Sequence, residues 1–273
     1  MSAPTRPILR WHGGKWILAP WIIDHFPTHR NYTEVFGGAA SVLMRKPRAY
    51  AEIYNDLDGE VVHLFRMLQR PDTATLVKKR LEMTPFAREE FNLSYEKTED
   101  PIERACRLIV VSFMGFGSNA HNTRTRTGFR ANSSRSGTTP AHDWAHYPAC
   151  MDAMIERLRG VVIESRDAKE ILLQHDGPET LHYVDPPYVA ETRSKGKDYR
   201  HEMTDADHRA LAVVLRELSG GVVLSGYPSA LYEELYGTWH RVERKALADG
   251  ARKRTEVLWI NESAWAGLDG RLF

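Results

Sequence analysis

Cysteine is almost missing from this chain of 273 residues: only Cys106 and Cys150 occur, with no CxxC pair between them. That excludes zinc ribbons and disulfide scaffolds, and it makes a reducing compartment the default. Long apolar runs are missing as well. The aliphatic stretch from Leu108 to Val111 is only four residues long, far short of the roughly 20 that a membrane helix needs. Met1 to Trp16 holds no apolar core of a secretory signal. An excess of charge is also absent, with 37 basic against 36 acidic residues and a net charge of +1. His142 and His146 stand four apart without a third ligand or an intervening glutamate, which argues against zinc. The expectation from these absences is a cytoplasmic globular chain, without metal or membrane partner, and monomeric by default.

The charges that are present are unevenly placed. From Arg104 to His142 there are six arginines, among them Arg124, Arg126, Arg130 and Arg135, and no Asp or Glu. A second basic cluster, Arg193, Lys195, Lys197 and Arg200, contains one acid, Asp198. Local basic segments on a neutral protein suit an anionic partner held at defined places, or are solvated loops.

The chain alternates strand and helix at both ends. Asn31 to Phe36, Ala49 to Tyr54, Val161 to Glu164, Leu181 to Val184 and Gly221 to Leu224 read as strands, with a terminal pair over Trp239 to Lys245 and Thr255 to Ile260 around a turn at Gly250. Helices are expected from Ser41 to Arg45, from about Leu57 to Gln69 where Pro71 closes it, from Asp167 to Gln174, and from Asp205 to Leu218 with Thr204 as cap. Residues 72 to 114 read as successive helices, with starts at Thr84-Pro85 and Asp100-Pro101, the latter in a capping box with Glu103. A Gly- and Arg-rich loop follows to about residue 140, then a helix carrying Met151, Met154, Ile155 and Leu158 on one face. The βαβα pattern predicts an α/β fold, a doubly wound seven-stranded sheet interrupted by a helical insertion. Such sheets bind ligands at the carboxyl ends of their strands.

Candidate site residues fall at those ends. Phe36-Gly37-Gly38-Ala39-Ala40-Ser41 is a strand-to-helix turn of small residues, where a ligand can approach the backbone, or a plain tight turn. Asn55-Asp56 and Asp58 follow the second strand, and an acid about 20 residues beyond a glycine turn suits ribose hydroxyls. A helix-start role complementing the dipole is the alternative for these acids. Asp185-Pro186-Pro187-Tyr188 follows an apolar strand and is the most specific signal. Two prolines stiffen the backbone so that the Asp185 carboxylate and the Pro186 carbonyl are presented together, beside the flat face of Tyr188. A rigid pair of acceptors next to an aromatic face suits an exocyclic amino group on a planar base. Trp11-His12-Gly13-Gly14-Lys15 offers an aromatic, two glycines and a cation, or simply a turn. Cys106 reads as a core thiol.

Together these residues resemble the DNA adenine-N6 methyltransferases of the bacterial and phage GATC-methylating type, the D12 class. Arg10 to Lys15 matches that family's R/K-W-x-G-G-K segment, and Glu34 to Ser41 its E-P-F-x-G-x-G-S motif. Val35 stands in place of the proline and Ala40 in place of the second glycine. Asp56-Leu57-Asp58 corresponds to D-I-N, Glu164-Ser165-Arg166-Asp167 to a cofactor-facing segment, and Asp185 to Tyr188 to the catalytic D-P-P-Y. Thr192-Arg193, Asp207-His208 and Ser225-Gly226-Tyr227 extend the resemblance over nearly the whole chain.

The resemblance implies a Rossmann-like methyltransferase sheet formed by residues 1–59 and 160–273, with a helical target-recognition insertion over 60–159 whose basic loop spans about 115–140. It implies S-adenosylmethionine as cofactor, held by Trp11, Lys15, Phe36, Gly38, Asp56, Asp167 and Asp185. Asp185, Pro186 and Tyr188 are then catalytic, acting on a flipped-out adenine of double-stranded DNA. Asn119, Arg124, Arg126, Arg130 and Arg193 become the DNA-contacting candidates. Related x-P-P-Y motifs also serve RNA-adenine and protein-glutamine methyltransferases, and a catalytically silent DNA-binding relative is the remaining alternative.

Overall fold

Seven strands make one sheet in the computed structural model: β1 (Asn31–Glu34), β2 (Ala51–Asn55), β3 (Val161–Glu164), β4 (Thr180–Val184), β5 (Gly221–Gly226), β6 (His240–Ala248) and β7 (Arg252–Ile260). The residues described are 3–117, 126–132, 137–192, 200–248 and 252–269. By its internal contacts the chain divides into two units. The first to be considered, formed by Ile17–Gly37, Lys46–Leu57 and Gly160–Phe273, contains the whole sheet.

The strand order is β3-β2-β1-β4-β5-β7-β6. Strands β1 to β5 run parallel, and β7 is antiparallel to both β5 and β6. The order reverses between β1 and β4, which makes their carboxyl ends the switch point of the sheet. Registers bring those ends level: Glu34 lies opposite Tyr54 on one side and Tyr183 on the other, and Asn55 lies opposite Glu164. Every residue of β4 and β5 is buried, as the near-continuous apolar runs of a parallel sheet require.

One face of the sheet, carrying Ile53, Val184, Val222 and Leu224, packs on the helices Ala168–Gln174, Asp205–Glu217 and Ala230–Tyr236 through Ile171, Leu211, Leu215 and Tyr232. Each helix starts on a side-chain cap: Asp167 bonds Lys169 N, Thr204 forms a capping box with Asp207, and Ser229 bonds Tyr232 N. The opposite face carries Tyr32 and Tyr183, both against Phe26 at 5.8 Å between ring centres. At the amino edge, buried His182 bonds Thr33 Oγ1 through Nδ1 at 2.8 Å and Asp176 Oδ1 through Nε2 at 3.3 Å. Asp176 also accepts from the amides of Ser219 and Gly220 and the Ser219 hydroxyl, which ties the entries of β4 and β5 together.

The other unit, Met1–Trp16, Gly38–Arg45 and Asp58–Arg159, is helical. Its helices are Ser41–Arg45, Gly59–Gln69, Pro71–Met83, Arg88–Leu93, Pro101–Met114, Pro140–Ala145 and Met151–Leu158. Asp58 and Asp100 cap two of them, accepting from Glu60 N and from Ile102 and Glu103 N. Glu103 does not return the capping bond; its carboxylate takes Arg80 and Arg107 instead. The amino-terminal segment is stitched to the longest helix. Ser112 Oγ donates to Arg10 O at 3.0 Å and accepts from Arg10 N at 2.6 Å, and Tyr147 OH donates to Ile8 O at 2.7 Å. Cys106 is a core thiol, pushed up to about 12 by burial.

One local expectation is extended and another corrected. The helix ahead of Pro71 ends at Gln69 as expected, and Pro71 also opens the next one, because a proline at the first helical position gives up an amide that has no partner there. Thr84 is the carboxyl cap of that helix, and the next begins at Arg88 on the cap Ala87, so Thr84-Pro85 starts nothing. By contacts, residues 1–16 and 38–45 group with the helical unit, whereas the sequence division places them with the sheet. The terminal hairpin is longer at both strands than its apolar residues indicate, and its Gly250 lies outside the described residues. Among the described residues no helix is long and apolar enough to cross a membrane.

Candidate active site

The sheet unit gathers most of the catalytic and cofactor candidates, at the carboxyl ends of β1, β2, β3 and β4. Asn55, 1% exposed, holds three of these ends together. Its Nδ2 donates to Val35 O and Arg166 O, both at 3.0 Å, and its Oδ1 accepts from Arg166 N at 2.9 Å. Gly37 N donates to Asn55 O at 2.9 Å, and a β-carbon on Gly37 would fall 2.1 Å from the Tyr54 ring. Only glycine passes there. Phe36 is partly buried against the sheet's apolar core.

Asp56 follows Asn55 and is half-buried, its amide donating to Glu164 O at 3.4 Å. Asp58, named with it on sequence, takes the helix-start role. Asp167 is exposed and caps its helix through Oδ1, 2.8 Å from Lys169 N, with Oδ2 3.4 Å from Lys169 Nζ.

Beyond β4, Asp185 is half-buried and Pro186 buried. The Tyr183 phenol between the strands bonds Ser225 Oγ at 2.9 Å. Burial raises its pKa well above the ordinary value, and the carboxylates of Asp185, Glu34 and Glu256 add to the shift. Tyr188 is 5% exposed. Its hydroxyl donates to Glu256 Oε2 at 2.9 Å, and its ring meets Tyr227 edge-on at 4.5 Å. Sequence reading named Tyr188 but not Glu256, which looks like any charged residue of a terminal strand.

The helical unit holds the remaining cofactor candidates. Gly14 N closes a turn on Trp11 O at 3.1 Å, and Lys15, 6% exposed, bonds Gly13 O at 2.9 Å. Gly38 has φ +47, and a β-carbon there would lie 2.7 Å from Trp11 Nε1. Trp11 and Gly38 are thus in close approach. Ala40 is fully buried with φ +52, and its carbonyl accepts the first helical bond from Met44 N.

The basic loop has the base of a hairpin. Phe116 N donates to Gly128 O at 2.7 Å, Arg130 N to Met114 O at 2.8 Å, and Gly115 bridges Phe129 antiparallel. Phe129 packs on Phe86 and Phe91. Arg126 is exposed, with its guanidinium 5.0 Å from the Tyr95 ring centre. Arg130 is 8% exposed, and its Nη1 donates to Phe113 O at 3.0 Å. Asn119, Arg124 and Arg193 lie outside the described residues. A cavity of about 400 Å³ in this unit, between Thr84, Phe86, Trp144 and Pro148, is lined by none of the candidate residues.

Residues 11–249 match the family model of the D12 class N6 adenine-specific DNA methyltransferases. Among curated proteins the chain is similar to the DNA adenine methylases of Escherichia coli strain K12 and of Escherichia coli O157:H7. Each is 23% identical over 274 residues, covering 93% of this chain and 94% of the relative.

Proposed function

From the premise that this chain belongs to the D12 class of N6 adenine-specific DNA methyltransferases, we propose that its methyl donor is S-adenosylmethionine and its acceptor an adenine swung out of the duplex. The enzyme is a site-specific DNA adenine methyltransferase. The match to an adenine-specific DNA family decides against an RNA or a protein acceptor.

The residues present fit such a donor. Gly37 and Gly38 leave the turn after β1 without side chains, in places where a β-carbon would collide. When bound, the cofactor supplies an electrophilic methyl group on a positively charged sulfur. Asp56 would accept from ribose hydroxyls, and Asp167 from the adenine amine through the oxygen that does not cap Lys169. Trp11 and Phe36 supply apolar surface for the nucleoside. Lys15 would pair with the methionine carboxylate through a charge-assisted hydrogen bond.

Asp185 and Pro186 carry the chemistry in this reading. The lone pair of adenine's amino nitrogen is conjugated into the ring, so the nitrogen is a weak nucleophile. The Asp185 carboxylate and the Pro186 carbonyl each accept one N–H, which favours a tetrahedral nitrogen with its lone pair free. Asp185 is also placed to take the proton that the nitrogen gives up. This is positioning and electrostatic stabilisation by rigid acceptors. The hydroxyl of Tyr188 is engaged by Glu256, which leaves the ring for the base. Stacking there offsets part of the few kcal/mol lost on unstacking. Because Tyr188 is 5% exposed, side chains around it must give way as the base enters.

For recognition, Arg126 with Arg124 and Asn119 reads base edges, and Arg193 contacts the strand beside the extruded base. Arg130 is better suited to hold the hairpin base through Phe113 O than to reach into a groove.

The observation that carries the proposal is the rigid Asp185 to Tyr188 segment at the carboxyl end of β4, next to the switch point. The test is methyl transfer from labelled S-adenosylmethionine to unmodified DNA, with mass spectrometry of the nucleosides and mapping of the sites. N6-methyladenine at one short motif is expected, and none from Asp185→Ala, which still binds DNA. Cofactor binding without DNA labelling in the unaltered enzyme would instead indicate a silent relative.

A further inference from the structure

Strand β7 presents two charged residues next to the segment that follows Asp185. Glu256, 8% exposed, accepts the Tyr188 hydroxyl at 2.9 Å. Arg254, two residues earlier and so on the same face of the strand, donates from Nη1 to Thr192 O at 3.3 Å and lies 5.5 Å from the Tyr227 ring centre. Tyr227 in turn meets Tyr188 edge-on. A buried carboxylate is unfavourable unless it is well bonded, and a hydrogen bond to a charged acceptor is among the stronger ones. Neither the hydroxyl of Tyr188 nor Glu256 has a part in the proton chemistry assigned to Asp185.

We propose that Glu256 is the positioning residue of the base platform: its carboxylate fixes the height and rotation of the Tyr188 ring, with Arg254 steadying Tyr227 and the chain after Thr192. The inference rests on Tyr188 being the surface on which the target adenine stacks. A tyrosine held at both its backbone and its hydroxyl has its ring set before a base arrives, so ordering it is not charged against base binding. Glu256 itself touches no reacting atom.

The test uses the whole enzyme with an oligonucleotide carrying 2-aminopurine at the target adenine, whose fluorescence reports whether the extruded base is stacked, together with single-turnover methylation of the unmodified duplex. Glu256→Ala is expected to slow single-turnover methylation about tenfold, the size of one charged hydrogen bond, and to raise the 2-aminopurine signal, with S-adenosylmethionine affinity unchanged. Glu256→Gln keeps an acceptor for the hydroxyl and restores the rate to within about threefold of the parent. Tyr188→Phe removes the donor and reproduces the Glu256→Ala defect. The double variant is no slower than either single one, because both break the same contact. Parent-like rate and fluorescence in Glu256→Ala, or a Glu256→Gln as slow as Glu256→Ala in a folded protein, overturns the assignment. Tyr188→Ala separates the two readings. If it methylates normally, Tyr188 is not the platform. If it is defective while Glu256→Ala is not, only the role of Glu256 falls.

Discussion

The ring of Tyr54 lies across Gly37 so closely that a β-carbon on Gly37 would sit 2.1 Å from its Cε2 atom. β1 and β2 are adjacent parallel strands, and this contact brings the chain leaving β1 down onto the end of β2. Gly37→Ala must displace a fully buried tyrosine. Overpacking of this kind destabilises by about 1–3 kcal/mol. Urea unfolding and titration with S-adenosylmethionine are expected to show lower stability together with weakened cofactor binding. Full stability with normal binding would mean that Tyr54 has room to rotate away.

Ala40 has φ +52, a left-handed conformation that glycine favours, and it is fully buried. Two effects oppose each other in Ala40→Gly. Relief of the left-handed backbone returns about 1–2 kcal/mol, while loss of the buried methyl removes about 0.8 kcal/mol and the freer unfolded chain another 0.4–1. The expected change is under about 1 kcal/mol by this balance. Ala40→Val places a β-branched residue in the same conformation and is expected to cost more than about 2 kcal/mol. Denaturation midpoints of the two variants check the contrast. The near-cancellation also explains how this chain carries alanine where its family's motif has glycine.

Acid sensitivity should originate at the amino edge of the sheet. Burial pushes His182 down to about 4, in spite of its hydrogen bond to Asp176. Burial pushes Asp176 up, but the bonds from Ser219, Gly220 and His182 together outweigh it and bring it down to about 2. Between pH 6.5 and about 4 the unfolded chain protonates its histidine while the folded one does not. Stability therefore falls as pH drops through that window, by about 3 kcal/mol in full. Asp176 adds a further loss below 3.8, as the unfolded carboxylate takes up its proton first. Urea unfolding at pH 7.5, 5.5 and 4.5 should show the decline, and His182→Gln should flatten its upper part. An unchanged slope in that variant would place the sensitivity elsewhere.

The two described arginines of the basic loop should fail differently. Arg126→Ala removes an exposed guanidinium and is expected to relax sequence preference by about 1–3 kcal/mol at one base position. Arg130→Ala loosens the hairpin base, so it should weaken binding to every DNA sequence alike and lower stability by about 1.5–3 kcal/mol, the value of a charged hydrogen bond. Binding to duplexes with single base changes distinguishes the two. A selective loss in Arg130→Ala would reverse the assignment.

The sheet was legible in the sequence because its strands are short apolar runs at regular spacing, separated by capped helices such as the one that begins after Thr204. Asp185, Pro186 and Tyr188 were legible because two adjacent prolines after a buried strand are rare. What escaped was set by tertiary contact. Pro71 follows the end of one helix and also begins the next, and this second role, with Ala74, Val77 and Leu81 packed inward, has no separate local signature. Arg130 has the composition of a DNA reader, yet the pairing of 114–116 with 128–130 turns its head onto Phe113 O. Glu256 is 68 residues from Tyr188 in the chain, and no local pattern announces that they meet.

Asn55 has one more property, and it concerns how the enzyme ages. Asparagine loses its amide slowly, when the next residue's backbone nitrogen attacks the side chain. Here that nitrogen belongs to Asp56 and is directed at Glu164 O, while both ends of the amide are held by Val35 and Arg166. The attack needs a rotation that the folded strand ends do not allow. A molecule that does deamidate, while unfolded, acquires a carboxylate oxygen facing two carbonyl oxygens when it refolds. Damage at this one position would accumulate in chains that have opened, and those chains would be the ones least able to rebuild the strand ends.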